Sequence, residues 1–266
     1  MGRRAFTLIE LLVVIAILAL LIAILLPTLR VSRQHVKAVL CGSNIRQLVF
    51  GLAMYETDNQ TFPYGFHFSL TPPPGGYPGY LEYDRTGWWW FNFIEGFYKK
   101  ADSKRTVVKC PSKQLRNPKL KNNILCGNYG VNRSVCKSSV DIQGHREEFT
   151  GTPLSSSDIP HPGQTLLIVD SGYSMISWWH VTDVPPVSLG STIEDTAYVP
   201  GLEINKDKNL WPGQGWDAIN GRHPNKTVNI GFADGHVSPN RMKADDLFVE
   251  KTDAGYKNRV PLWLPK

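Results

Sequence analysis

The chain has 266 residues, 42% of them apolar and 20% charged, with 29 Lys and Arg against 23 Asp and Glu for a formal charge of +6. That is enough for one core of ordinary size beyond a single apolar segment, and it bounds the soluble part at one domain. Two of the basic residues, Arg3 and Arg4, precede that segment, so the remainder is only mildly basic and its composition does not mark a nucleic-acid binder.

The amino terminus reads Arg3-Arg4-Ala5-Phe6-Thr7-Leu8-Ile9-Glu10 and continues as an apolar run to Leu26. The 21 residues from Phe6 to Leu26 form a helix of about 31 Å, which matches a hydrocarbon core of roughly 30 Å. The basic flank predicts a cytoplasmic start and an extracytoplasmic position for everything after Leu26. Glu10 is the anomaly, because a carboxylate at mid-membrane costs about 2.5 to 3.5 kcal/mol and so calls for a partner. A cut between Ala5 and Phe6 would create that partner, since Glu10 would become the fifth residue, one helical turn from a new α-amino group. A neighbouring copy's amine could then be neutralised by Glu10. A secretory signal is excluded by the length of the run and by the lack of an Ala-x-Ala site after it. A plain uncleaved anchor leaves Glu10 unexplained.

These residues resemble the class III leader of type IV pilins and type II secretion pseudopilins. Such leaders carry a short basic segment, then Phe-Thr-Leu-Ile-Glu and a long apolar helix, often with a proline where Pro27 falls. Ala5 departs from the glycine usual before the cut. The resemblance implies processing between Ala5 and Phe6 by a membrane aspartyl prepilin peptidase, methylation of the new amine, and assembly with other pilin-like subunits through Glu10 and Pro27. The implied organisation is a leader over residues 1–5, a transmembrane and assembly helix over 6–29, its amphipathic continuation over 30–62, and an extracytoplasmic head over 63–266. The implied location is the inner membrane, single-pass, and a filament after assembly.

Past Pro27, helical patterning resumes. Val36, Val39 and Leu40 begin an apolar stripe, which Cys41, Ile45, Leu48, Leu52 and Tyr55 continue at helical spacing. Gly42 marks a close packing point, and the pattern ends before Pro63. Cys41-x-x-Asn44-x-x-Gln47, Tyr55-x-x-Asp58 and Phe62-Pro63 also resemble a bacterial set of prepilin-leader proteins whose C-terminal domain has no established activity.

The segment from Gly65 to Phe97 is rich in Gly, Pro and aromatics and begins as an irregular loop. Trp88, Trp89 and Trp90 read either as core or as a stacking surface. A basic run from Lys99 to Lys121, beginning with Lys99, Lys100, Lys104 and Arg105, is either a solvated face or, with the tryptophans, a ligand surface for polysaccharide or DNA. Val107 to Ser112 reads as a short strand stopped by Pro111, and its Cys-Pro-Ser is common in the same prepilin-leader set. Thr165 to Asp170 reads as a buried strand. Thr227 to Ala233 reads as a second strand ending in the turn pair Asp234-Gly235, the two strands forming a hairpin in a small antiparallel sheet. The stretch from Ser171 to Gly221 should be long loops. The expected fold is α+β, pilin-like: a long N-terminal helix packed on a small antiparallel sheet with extended loops.

Four cysteines, Cys41, Cys110, Cys126 and Cys136, suit disulfides outside the cytoplasm. Of three possible pairings, Cys126 with Cys136 and Cys41 with Cys110 is the favoured one. Zinc is the rival use, though no Cys-x-x-Cys spacing occurs.

Toward the C-terminus, Arg222-His223, Asn229 and Phe232-Ala233-Asp234-Gly235-His236-Val237 resemble a signature in which a histidine is followed nine residues later by Asp-Gly. Here ten residues separate His223 from Asp234, which puts one extra residue in the Pro224 to Lys226 turn. His223, Asp234 and His236, with Asp170, form a candidate metal set for zinc or another transition metal. Calcium is what the pseudopilin resemblance implies, and Asp oxygens suit it. The structural alternative is a carboxylate capping its own turn with a histidine bonded to it. No Gly-x-Ser-x-Gly or His-Glu-x-x-His occurs, and no catalytic residue is assigned.

Overall fold

The computed structural model describes residues 8–74, 76–77, 85–98, 107–140, 147–182, 197–238 and 242–265. Ala5 and Phe6 at the expected processing point, and Lys99, Lys100, Lys104 and Arg105 of the expected ligand surface, lie outside the described residues.

Helix α1 runs unbroken over Leu8–Asn59, 52 residues with Pro27 inside it. At ~1.5 Å per residue it is about 78 Å long, far longer than the head needs. Its two halves differ in what surrounds them. From Leu8 to Leu29 every large apolar side chain is between 47% and 83% exposed. Lower down, Ala38, Cys41, Ile45, Leu48, Val49, Gly51 and Leu52 are buried. The buried face thus opens at Ala38, and Val36, Val39 and Leu40, expected to open it, are exposed. At 3.6 residues per turn, Val39 and Leu40 sit about 100° and 200° round the cylinder from Ala38, out of the head's reach. The helix stops at Asn59 because Gln60 takes a left-handed conformation (φ 63°), its N–H closing on the Glu56 carbonyl at 2.7 Å.

The head follows as β1 (Phe66–Phe68), β2 (Gly87–Trp89), α2 (Trp90–Phe93), α3 (Glu95–Tyr98), α4 (Pro118–Asn122), β3 (Tyr129–Asn132), β4 (Leu166–Asp170), β5 (Met175–Ile176), α5 (Gly215–Asn220), β6 (Thr227–Val228), β7 (Ile230–Phe232), β8 (Met242–Lys243), β9 (Glu250–Thr252) and β10 (Gly255–Lys257). The central sheet has the order β5-β3-β4-β7. β4 lies antiparallel to both β3 and β7, while β5 joins β3 in parallel, so the sheet is mixed and not purely antiparallel. Two-stranded pairs β1-β2, β6-β8 and β9-β10 surround it. The architecture is the α+β, pilin-like one expected, with the lower half of α1 laid across small sheets.

Several local expectations change. Residues 107–112 form turns and not a strand: the Cys110 N–H donates to Asn128 Oδ1 and the Cys110 carbonyl accepts from Lys113. β3 lies inside the segment between Cys126 and Cys136 that carried no strand signal. The expected strand over 227–233 is broken at Asn229, whose N–H donates to the Asp170 side chain at 2.7 Å. β4 and β7 do pair antiparallel, but not as the expected hairpin, since β5 and α5 lie between them where only long loops were expected; Asp234-Gly235 forms the turn that returns the chain to His236.

The tryptophans resolve toward core. Trp89 and Trp90 are buried, Trp89 edge-on to Tyr173 at 5.5 Å and Trp90 donating from Nε1 to the Ser174 carbonyl at 2.9 Å. Trp88 is half-buried and donates to the Thr71 carbonyl. A strand alternates its side chains, and the turn into α2 tucks the third ring under the head, so Trp89 and Trp90 offer no ligand platform.

Helix and sheet meet most closely at Gly231. A Cβ there would lie 2.2 Å from Val49 Cγ2 and 2.9 Å from Ile168 Cγ2, so glycine is required by contact distance and not by backbone angle. Gly231→Ala should force α1 off β7 and cost about 1 to 3 kcal/mol of stability. Thermal unfolding of the detergent-extracted protein checks this, with a lowered Tm expected.

Candidate functional site

Four side chains from distant parts of the sequence meet under α1. Cys41 projects from the buried face of the helix. Cys110 is held in its turn by Asn128, which accepts from the Cys110 N–H at 3.0 Å while its own amide donates to the Ile124 and Cys126 carbonyls. Asp170 ends β4 opposite Tyr129 on β3. His223 is extended immediately before Pro224. One ligand atom from each of Cys41, Cys110, Asp170 and His223 lies within 4.8 Å of the others, and all four residues are buried.

The separations within the cluster are specific. Cys41 Sγ is 3.8 Å from Cys110 Sγ and 3.0 Å from Asp170 Oδ1. His223 Nε2 is 3.2 Å from Asp170 Oδ2, an ion-pair contact between two fully buried side chains. The same Oδ2 accepts from Asn229, through its N–H at 2.7 Å and its amide at 3.2 Å. His223 Nδ1 is buried without a hydrogen-bond partner. Gly42, next to Cys41, admits this arrangement, since a Cβ there would lie 3.0 Å from Asn229 Oδ1. Asn44, one turn on, donates to the Lys109 carbonyl and to Tyr129 Oη, tying the helix to the Cys110 turn and to β3.

Burial disfavours charge on every member, and the members offset it for one another. Burial pushes the Asp170 carboxyl up, but the neighbouring His223 and Arg222 charges and the Asn229 N–H leave it below the usual carboxylate range. Burial lowers His223, and the Asp170 charge more than compensates, so its net shift is upward. The two thiols split: burial raises Cys41 far above the ordinary thiol value, whereas burial of Cys110 is outweighed by its hydrogen bond with Cys41 and by the Arg222 and His223 charges, which leave it below that value.

Arg222 locks this cluster in place from below. It pairs with Asp217 at 2.6 Å, both side chains fully buried, and donates to the carbonyls of Asn128 and Ser171. Ser171 directly follows Asp170, the Asn128 side chain holds the Cys110 N–H, and His223 is the residue after Arg222. Asp217 is itself saturated by Tyr198 Oη and the Gln114 N–H. Asp217→Asn would leave a buried guanidinium without its counter-charge, at a cost of about 3 to 5 kcal/mol. Denaturant unfolding should show the loss directly, as a lower midpoint.

Of the four residues expected to bind metal, Asp170 and His223 come together and Asp234 and His236 do not join them. Asp234 caps its own turn, accepting from the His236 N–H, with His236 Nδ1 at 2.6 Å and the ring stacked on Phe232. That pair is exposed, so the structural alternative describes it. The expected Cys41–Cys110 partners do lie side by side, Sγ to Sγ 3.8 Å. All four cysteines are free buried thiols. Cys41 and Cys110 are neighbours without a bond, while Cys126 and Cys136 stand at opposite ends of β3, whose extended backbone holds them apart. The sequence reading missed the grouping of two cysteines with Asp170 and His223. No short spacing signals it, although both thiols lay in singled-out motifs, Cys41-x-x-Asn44 and Cys110-Pro111-Ser112.

The assembly residues occupy the other end of the molecule. Glu10 is exposed in the first turn of α1, and Pro27 lies where the membrane-length segment ends. Among the described residues α1 is the one helix long and apolar enough to cross a membrane.

Residues 1–26 match the family described as "Prokaryotic N-terminal methylation motif". The chain is also 39% identical over 61 residues to the "Type IV wide pilus major component PilA4" of Thermus thermophilus, a match covering 23% of this chain. It spans about half the length of that relative, 47%. No solved structure matches the chain.

Proposed function

We propose that this type IV pilin-like chain is a structural subunit of a type IV pilus-like filament, anchored in the membrane by the upper half of α1 before it assembles. One observation carries the reading: an apolar helical surface from Leu8 to Leu29, uncovered by the head, with a carboxylate in its first turn. Such a surface must be covered by lipid or by other copies of the same helix. Lipid can cover the apolar side chains of a single copy, and in a filament neighbouring helices take its place. A neighbouring helix whose chain begins at Phe6 also meets Glu10, because its α-amino group can sit against the carboxylate. The N-terminal methylation motif and the relative, a type IV pilus component, support the same reading.

On this reading prepilin peptidase cuts between Ala5 and Phe6, the leader stays cytoplasmic, and the head lies outside the cytoplasm. The head's role is structural and not catalytic: it caps the lower half of the helix and presents the filament's outer surface. Pro27 lets the helix bend where it leaves the membrane-length segment.

Glu10→Val separates anchoring from assembly. It should leave the amount of membrane-bound protein unchanged, since the substitution only adds apolar surface. Filaments recoverable by shearing should fall by about tenfold or more, given about 2.5 to 3.5 kcal/mol for an unpaired charge in the packed helices. Wild-type filament yield in that variant would remove Glu10 from the account.

A further inference from the structure

We infer that Cys41, Cys110, Asp170 and His223 form a tetrahedral site for a structural zinc ion, which staples α1 to the head where the helix leaves it. Chemistry, geometry and the burial of the His223 ring argue for it together.

The donor set is two sulfurs, one imidazole nitrogen and one carboxylate oxygen. Soft thiolates and imidazole select zinc over calcium or magnesium, which take oxygen ligands. The rival use of two adjacent cysteines is a disulfide, whose sulfurs would be about 2.05 Å apart. The observed separation is 3.8 Å. Two sulfurs each ~2.3 Å from one tetrahedral zinc lie about 3.8 Å apart. One contact is tighter than a zinc site allows and must open: Cys41 Sγ and Asp170 Oδ1 are 3.0 Å apart, against an expected edge of about 3.5 Å.

The histidine carries the second, independent argument. His223 has a side chain with no exposed surface, an Nδ1 with no hydrogen-bond partner, and an Nε2 that faces another member of the cluster, Asp170 Oδ2 at 3.2 Å. An orphaned buried polar group costs about 1 to 3 kcal/mol, so proteins rarely keep one without a use. A disulfide between Cys41 and Cys110 would leave His223 as it is, whereas a cation takes up a nitrogen lone pair directly. The outer contacts of a metal site are also in place. Asn229 holds Asp170 Oδ2 and so leaves Oδ1 facing Cys41, and Asn128 fixes the backbone of Cys110.

Position gives the site its purpose. Cys41 lies three residues after Ala38, the first buried residue of α1, and the other three ligands come from separate segments of the head. One ion would therefore cross-link the helix to the Cys110 turn, to β4 and to the segment before β6. That is where load passes from the packed helices of a filament to the head.

The test uses the full chain, extracted in detergent and purified with a thiol reductant, without chelators and without a polyhistidine tag. Elemental analysis after incubation with zinc and removal of the excess should give about one zinc per chain. Cys110→Ser and His223→Gln should each lose it, while the doubly substituted Asp234→Asn, His236→Gln chain should keep it. Because the ligand variants can fail to fold, cobalt(II) is also loaded into the wild-type chain. Tetrahedral visible bands with a thiolate-to-cobalt charge-transfer band are expected. A stoichiometry near zero, or bound cobalt without the thiolate band, would overturn the assignment. So would a Cys41–Cys110 disulfide in peptides from cells whose free thiols were blocked before lysis.

Discussion

An apolar helix surface that the head does not cover is the constraint on which the rest of this structure depends. Burying one Leu or Ile side chain is worth about 1.5 to 3 kcal/mol, and the segment from Leu8 to Leu29 presents such side chains all the way round. A helix apolar on every side suits lipid or a bundle of its own kind, and one that continues into an amphipathic half must also hold a soluble body. Both demands fall on one continuous α1. The transition comes near Ala38, where a single face becomes buried and the opposite face stays exposed.

The head is arranged to grip that one face. Gly231 lets β7 approach the helix at Val49, and Ile45, Leu48 and Leu52 fill the core beside Trp89 and Trp90. At the upper end of the buried face the packing becomes polar. Cys41 faces Asp170, and Asn44 reaches Tyr129 and the Cys110 turn. Below them the Arg222–Asp217 pair joins three segments through backbone carbonyls. Such a fully paired, fully buried charge network is costly to break from either side, and it fixes the position of the cluster more firmly than apolar packing would.

Much of this was legible in the sequence where local pattern carries the information. The membrane-length run, Glu10, Pro27, the stripe Cys41-Ile45-Leu48-Leu52 and the strand ending at Asp170 rest on periodicity or composition within a single segment. What escaped depends on contacts between segments. Val39 and Leu40 look equivalent to Ile45 until the head's boundary is known. β3 was hidden because its neighbourhood mixes Asn128, Gly130 and Asn132 with apolar residues, yet it is central and flanked by β4 and β5. Cys41 and Cys110 read as a disulfide because spacing cannot show that Asp170 and His223 share their pocket. Asp234 and His236 read as ligands because they belong to the signature stretch, although the Asp234 carboxylate closes its own turn.

The central claim is that α1 serves first as an anchor and then as a packing element whose Glu10 meets a neighbour's new amino terminus. Intact mass and N-terminal sequence of the membrane-extracted protein test it most directly. The account predicts a mature chain that begins at Phe6 and carries a methyl group on its α-nitrogen. A chain that still begins at Met1 or Gly2 would contradict it, because Glu10 would then have no amine to meet.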